Sequence, residues 1–407
     1  MSGLSSARAR VARFNVKVQN DGRFQMVGII QEQHPDRARL FMQWKEMGWP
    51  ILVDSLNLLD TTVVPQTLAI DEHGTIQLIN PDRDHIEEEF LSQTYEAPAT
   101  SEARQPREPV LELPGLRASA GEWRAYADQE FRWGRSEDLT AVIAAYDRAL
   151  ELVPGDGPIH FRLGVAHRAR YDSGGRQPDD FREAVEHWEA ALDADPNNYI
   201  WRRRIQQYGP RLEKPYPFYD WVPTARAALE ARGEVPPPLV VEPGGAEFAE
   251  PTRTFVTSDG ALPEPDPDDR IYHDSAEFVL VETLTVPTTI AAGRSTRAHL
   301  TFRPNVDSSI RAHWNNEADD MVFWVNPPDG WEVDVRQVTV ARPPEIVSLE
   351  PRRVEFEIRS PENAPAGRVA VPGYALYYVC EDVNGTCLYR RQDVTVELDV
   401  SGDAGGR

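Results

Sequence analysis

The chain has 407 residues, 41% of them apolar, and a formal net charge of −23. Its length exceeds what one hydrophobic core usually serves and predicts two to four domains. The negative balance argues against a phosphate-backbone partner, because nucleic-acid binders carry the opposite sign, and no stretch reaches the roughly 20 apolar residues that span a bilayer.

The first segment, residues 1–97, alternates strands and helices. Its opening "MSGLSSARARVARF" carries arginines with no apolar run behind them, so it does not read as a secretory signal. "FQMVGII" (24–30) is an apolar, β-rich run suited to a buried strand. "PDRARLFMQWKEMG" (35–48) places Leu40, Phe41, Trp44 and Met47 on one helical face, with Gly48 as a stop. "PILVD" is a strand, and "TLAID" and "TIQLIN" form a hairpin about "EHG". "DHIEEEFLSQTY" reads as a short acidic helix.

That order, with "VVPQTLAIDEHGTIQ" at its centre, resembles the C-terminal two-thirds of a thioredoxin-like or peroxiredoxin-like domain over about residues 8 to 95. The resemblance implies a cis peptide at Pro65 and an extended partner docked beside Val64. It also implies a helix over about residues 3–20 preceded by a redox cysteine motif, which this segment lacks. Two readings stand: a catalytically dead remnant, or a natural start upstream of Met1. The second is favoured, since losing an interior strand leaves backbone groups unpaired.

Residues 98–120 are rich in Pro, Ala and charge and read as a linker. Residues 121–234 are helical and repeat: "YDRALELVP" (146–154) and "WEAALDADP" (188–196) align at an offset of 42. With Leu163-Gly164 between them, these segments resemble tetratricopeptide repeats lengthened by about eight residues at "DSGGRQPDD". Arg162, Arg168, Arg170 and Arg202, Arg203 and Arg204 concentrate positive charge there, and Arg202–Arg204 are the candidate surface for a protein partner. His160 and His167 share a helical face, and Glu183 precedes His187 by one turn, a spacing that can hold a metal. On repeat helices such residues ordinarily pack or face solvent, so no metal is expected.

Residues 235–270, "EVPPPLVVEPGGAEFAEP" through "LPEPDPDDR", read as a solvated, extended spacer; prolines interrupt its carboxylates, against a calcium loop. From 271 to 401 short alternating runs with Pro, Gly and Asn turns predict a β-sandwich. "NGT" (384–386) matches a glycosylation sequon, but Asn-Gly between strands is first a hairpin turn. His313-Trp314 reads as a buried structural pair.

Both cysteines of the chain, Cys380 and Cys387, lie in "YYVCEDVNGTCLYRR". Through "IAAGRSTRAHLTFRPNVDSSIRAHW" and "YALYYVCEDVNGTCLYRRQDVTVELDV", residues 271–401 resemble the N-terminal, immunoglobulin-like domain of the thiol–disulfide interchange protein DsbD, whose last hairpin carries a redox cysteine pair, although Leu388-Tyr389 replaces the family's proline. Two chemistries fit: an inert staple, or a dithiol–disulfide couple flanked by Tyr374, Tyr377, Tyr378 and Tyr389. No lysine or histidine adjoins the pair in sequence to activate a thiol. Either way the Cα atoms should lie within about 7 Å across paired strands.

The sequence therefore predicts a multidomain α/β, α and β chain engaged in extracytoplasmic thiol–disulfide exchange with a protein partner. Cys380 and Cys387 are the couple, Val64 and Pro65 the docking element, and no cofactor is expected. The competing expectation is a non-enzymatic interaction scaffold with a structural disulfide. No Gly-rich phosphate loop or Ser/His/Asp constellation is evident.

Overall fold

A computed structural model describes residues 24–62, 64–82, 84–97, 112–134, 139–212, 221–241, 243, 251–258, 262–382 and 385–402. The fold is mixed: a small α/β segment, a helical segment, and a β-rich segment. The chain divides into two compact units, one of residues 1–204 with 221–242 and the other of residues 205–220 with 243–407. The α/β and helical segments thus share a unit. The helix expected over residues 3–20 lies outside the described residues.

In the first unit β1 (Gly28–Ile30) pairs in parallel with β2 (Ile51–Val53), and α1 (Asp36–Trp44) connects them. β3 (Leu68–Ile70) and β4 (Ile76–Ile79) form the expected hairpin. The turn is set by Gly74 at φ +81° and by Asp71, whose Oδ1 accepts from the backbone N–H groups of His73 and Thr75. Two expectations need correction. The "FQMVGII" strand is short and only partly covered, with Ile29 43% exposed, because its sheet has two strands among the described residues and leaves one face open. The acidic helix is a five-residue π-helical turn, Glu87–Leu91; Phe90 alone of the five is buried, packed with Ala69 and Ile86, while three successive glutamates stay in solvent.

The helices are α2 (Ala120–Trp133), α3 (Thr140–Leu152), α4 (Gly157–Tyr171), α5 (Asp180–Ala194), α6 (Tyr199–Gln206) and α7 (Trp221–Ala231). Helix α2 starts on a capping box in which Ser119 Oγ accepts from Glu122 N–H and Glu122 Oε2 accepts from Ser119 N–H. The internal repeat is visible as equivalent burial at an offset of 42. Tyr146 and Trp188 are both fully buried, as are Ala149 and Ala191. The repeat extends to the caps. Asp156 accepts from Ile159 N–H at 2.9 Å, and Asn198, 42 residues on, accepts from Trp201 N–H at 3.2 Å.

Within this unit the α/β segment is fastened to the helices by aromatic packing and arginines. Trp44 stacks on Trp221 with centroids 5.8 Å apart. Arg162 Nε donates to Leu56 O, and its Nη1 donates to Asp128 Oδ2 at 2.7 Å.

In the second unit the strands run β5 (Val279–Val286), β6 (Thr289–Ile290), β7 (Ser295–Pro304), β8 (Ala312–Asn315), β9 (Met321–Val325) and β10 (Glu332–Val333). They continue with β11 (Gln337–Val340), β12 (Val347–Ser348), β13 (Arg352–Arg359), β14 (Gly367–Glu381) and β15 (Thr386–Val400). One sheet has the order β10-β13-β7-β5; the other has the order β11-β9-β14-β15-β6, with β8 joined to β14 and β12. Inward residues of both, among them Leu300, Phe302, Phe356, Phe323, Trp314, Tyr377 and Val379, share one apolar core. Strict alternation along β14 places Val371, Ala375, Tyr377 and Val379 in that core and leaves Tyr374, Leu376, Tyr378 and Cys380 on the other face.

Part of the expected spacer belongs to this unit's structure. Asp266 is buried: its N–H donates to Tyr374 Oη at 3.0 Å, and its carboxylate accepts from Arg270 N–H at 2.9 Å and from Arg391 Nη1 at 3.0 Å. Arg391 in turn lies over the Tyr374 ring. A carboxylate with a guanidinium and backbone donors to receive it is not a solvated spacer residue.

Candidate functional site

The cysteine pair sits where β14 and β15 meet at their hairpin end. The two strands pair antiparallel from Gly367↔Val400 to Glu381↔Thr386, and this register sets Cys380 directly opposite Cys387. They form a disulfide with Cα atoms 3.9 Å apart, well inside the expected limit. Gly385 takes φ +68° in the connecting turn, as Asn-Gly chemistry requires; Asn384 itself lies outside the described residues. The two residues differ in access: Cys380 is 5% exposed, whereas Cys387 faces solvent.

On its other side Cys380 pairs with His313 of β8. Directly opposed residues of antiparallel strands share a face, with Cβ atoms about 4.5–5.5 Å apart. His313, Cys380 and Cys387 therefore form one row across three strands, on the face away from the core. His313 Nδ1 lies 3.1 Å from Asp382 Oδ1, just beyond the end of β14. That contact leaves Nε2 for other work. Sequence reasoning treated His313-Trp314 as one buried pair. Only Trp314 is: it packs in the core and its Nε1 donates to Glu350 O at 2.8 Å. Alternation along β8 turns His313 outward.

The tyrosines also divide by strand parity. Tyr378 and Tyr389 pair across the ladder two residues from the disulfide, on its face, with rings stacked at 4.4 Å. Tyr374 lies farther along that face, under Asp266. Tyr377 does not flank the pair. It points into the core, where its hydroxyl donates to Asp274 Oδ2 at 2.7 Å, and burial followed by the Asp274 charge drives its pKa far above the ordinary range.

Of the other predicted site residues, Val64 and Pro65 are joined by a cis peptide, and Val64 is 48% exposed. The arginines do not form one surface. Successive helical residues are turned about 100° from each other, and Arg202, Arg203 and Arg204 diverge accordingly. Arg202 is exposed and donates to Pro196 O. Arg204 is 2% exposed and donates to the Gln33 side chain, to Gln31 O at 2.9 Å and to Ser55 O at 3.2 Å. Arg168 and Arg170 are likewise engaged, by Asp172 and Asp180. Most of this charge holds the unit together.

No family model matches the chain, and no curated protein matches it. Solved structures with some likeness include AvmM, which catalyses macrocyclization in alchivemycin A biosynthesis (11% identity, TM-score 0.18, 32% of this chain and 92% of that one). Others are BcpA, the major pilin subunit of Bacillus cereus (10%, TM-score 0.19, 30% and 39%), and Spo0M, a sporulation control protein from Bacillus subtilis (11%, TM-score 0.16, 31% and 50%). At such scores they carry no argument about function.

Proposed function

We propose that the chain is a thiol–disulfide exchange protein whose working couple is Cys380–Cys387, borne on a domain of the DsbD N-terminal, immunoglobulin-like kind. The observation that carries this reading is the asymmetry of the pair: one exposed cysteine, and one buried cysteine in register with a histidine. A partner protein's thiolate attacks Sγ of Cys387, the S–S bond breaks, and Cys380 leaves as a thiolate. His313, in register with Cys380, gives the Nε2 proton of its doubly protonated ring to that thiolate and is reprotonated as the partner's second thiol ionises. The partner's second thiol then attacks the mixed disulfide and releases Cys387. Two electrons and two protons pass to the pair, and the partner's dithiol becomes a disulfide. The stacked Tyr378 and Tyr389 screen one side of the sulfurs and restrict the approach of a thiol. In the same reading the first segment is a thioredoxin-like domain without its cysteines that docks an extended chain beside Val64 and Pro65, and the helices are tetratricopeptide-like.

A second reading is favoured by the position of the pair at the very end of a long hairpin ladder, where a cross-link would only clamp the strand ends. The chain would then be an interaction scaffold with a structural disulfide. Equilibration of the protein in glutathione buffers separates the two. Exchange requires a reduction potential above about −300 mV, and a value below that supports the staple.

A further inference from the structure

Helices α4 and α5 bring together three side chains that the disulfide chemistry does not use. One ring nitrogen of His167, one of His187 and a carboxylate oxygen of Glu183 all lie within 4.8 Å of one another. The imidazoles of His167 and His187 are nearly parallel, 22° apart, with centroids at 5.8 Å. Three such groups side by side could be incidental packing. What distinguishes them is how their outer nitrogens are held.

His167 Nδ1 lies 3.2 Å from Asp180 Oδ1. Asp180 is a buried carboxylate gripped by Arg170, with Nη2 to Oδ1 at 2.6 Å and Nε to Oδ2 at 3.1 Å, so it only accepts. His167 must then carry its proton on Nδ1, which leaves Nε2 with a bare lone pair. The second relay is longer. His160 Nε2 lies 2.9 Å from Pro154 O, a carbonyl that only accepts, so the proton of neutral His160 is on Nε2 and its Nδ1 is an acceptor. His187 Nδ1 is 2.9 Å from that acceptor and must donate. Neutral His187 is therefore also left with a bare Nε2.

A carboxylate or carbonyl that fixes the far nitrogen of an imidazole is the arrangement that orients histidine ligands on metals. We propose that His167 Nε2, His187 Nε2 and Glu183 bind a divalent cation of the zinc class, with Asp180 and His160 as positioning residues. Two imidazoles and one carboxylate suit zinc and leave its fourth tetrahedral position for water or a ligand. Glu183 and His187 are only half-buried, which gives the ion a route in.

Calorimetric titration of the full chain with zinc chloride, paired with cobalt(II) absorption as a geometric readout, tests the site. One equivalent per chain is expected, with the intense visible bands of tetrahedral cobalt. Glu183→Gln and His187→Ala should each weaken zinc binding at least tenfold while far-ultraviolet circular dichroism stays unchanged. His160 contacts the His187 ring and not the cation, and His160→Ala should still weaken binding by about 10–100-fold through loss of orientation. Zinc should raise the melting temperature of the parent and not of Glu183→Gln. Absence of zinc binding, or equal binding by the parent and the Glu183→Gln variant, would overturn the proposal. Unchanged affinity in His160→Ala would overturn the relay.

Discussion

Arg204 and Arg202 are two residues apart on one helix, and the structure assigns them opposite weights. Arg204→Ala removes a buried guanidinium whose acceptors include Gln33 Oε1, Gln31 O and Ser55 O. A hydrogen bond to a charged group is worth about 1.5–3 kcal/mol. Three such bonds do not add fully, because the acceptors share one donor group and water can enter the space. The lost stacking over Phe161, 5.2 Å away, works in the other direction. A loss of about 3–5 kcal/mol follows, in the range measured when one partner of a buried charged contact is removed. For domains of 150–250 residues each kcal/mol moves the melting temperature by about 2–4 °C, so the first unit should melt about 10 °C lower. Arg202→Ala, exposed and bonded to one carbonyl, should stay within about 0.5 kcal/mol of the parent. Differential scanning calorimetry of both variants checks the contrast. Equal melting temperatures would refute the claim that Arg204 fastens the α/β segment to the helices.

Gly164→Ala should cost about 1–3 kcal/mol by overpacking, since its Cβ would lie 2.6 Å from Trp188 Nε1 and 2.9 Å from Ala184 O, and neither can retreat; denaturant titration reads this directly. Burial opposes ionisation of Glu355, but His299 and Arg297 outweigh it and hold the carboxyl well below the usual range. Its stabilising contribution is therefore present above the unfolded-state pKa of about 4.3 and is lost as pH falls below it; Glu355→Gln should flatten the acid limb of the stability–pH curve. Opening the disulfide, which closes a loop with a sequence separation of 7, should cost no more than about 2.4 kcal/mol on the chain-entropy relation, so the reduced protein should remain folded by near-ultraviolet circular dichroism.

What was legible in the sequence depended on chain distance. The Gly74 hairpin and the Cys380–Cys387 pairing are set by residues within one hairpin of each other, and both are found as expected; the cis peptide at Pro65, which only the resemblance implied, is also present. The offset-42 repeat was legible because equivalent positions carry equivalent bulk, Tyr146 with Trp188 and Ala149 with Ala191. The histidine beside Cys380 was not legible. His313 is 67 positions away in the chain and reaches the cysteine only through the pairing of β8 with β14, which no local pattern encodes. Period-2 reading could have found half of it: with Trp314 inward, His313 had to face outward. The arginines misled for the complementary reason. Consecutive charges look like a patch in one dimension, but helical rotation sent Arg204 into the interior and Arg202 to solvent. The histidine relays of α4 and α5 were visible only as spacings, because their tautomers are set by Pro154 and Asp180 across turns and between helices.

The most direct test of the exchange chemistry is trapping. Cys380→Ser leaves the exposed Cys387 as a lone nucleophile, and exchange through a mixed disulfide predicts that it captures a protein partner from a cell-envelope extract under mild oxidant. The adduct should be released by a reducing agent and be absent from the Cys380→Ser, Cys387→Ser double variant. His313→Ala in the Cys380→Ser background should leave capture intact, since the histidine serves the leaving thiolate of Cys380. An empty lane for Cys380→Ser, with the variant folded, would contradict the account and leave the disulfide a staple.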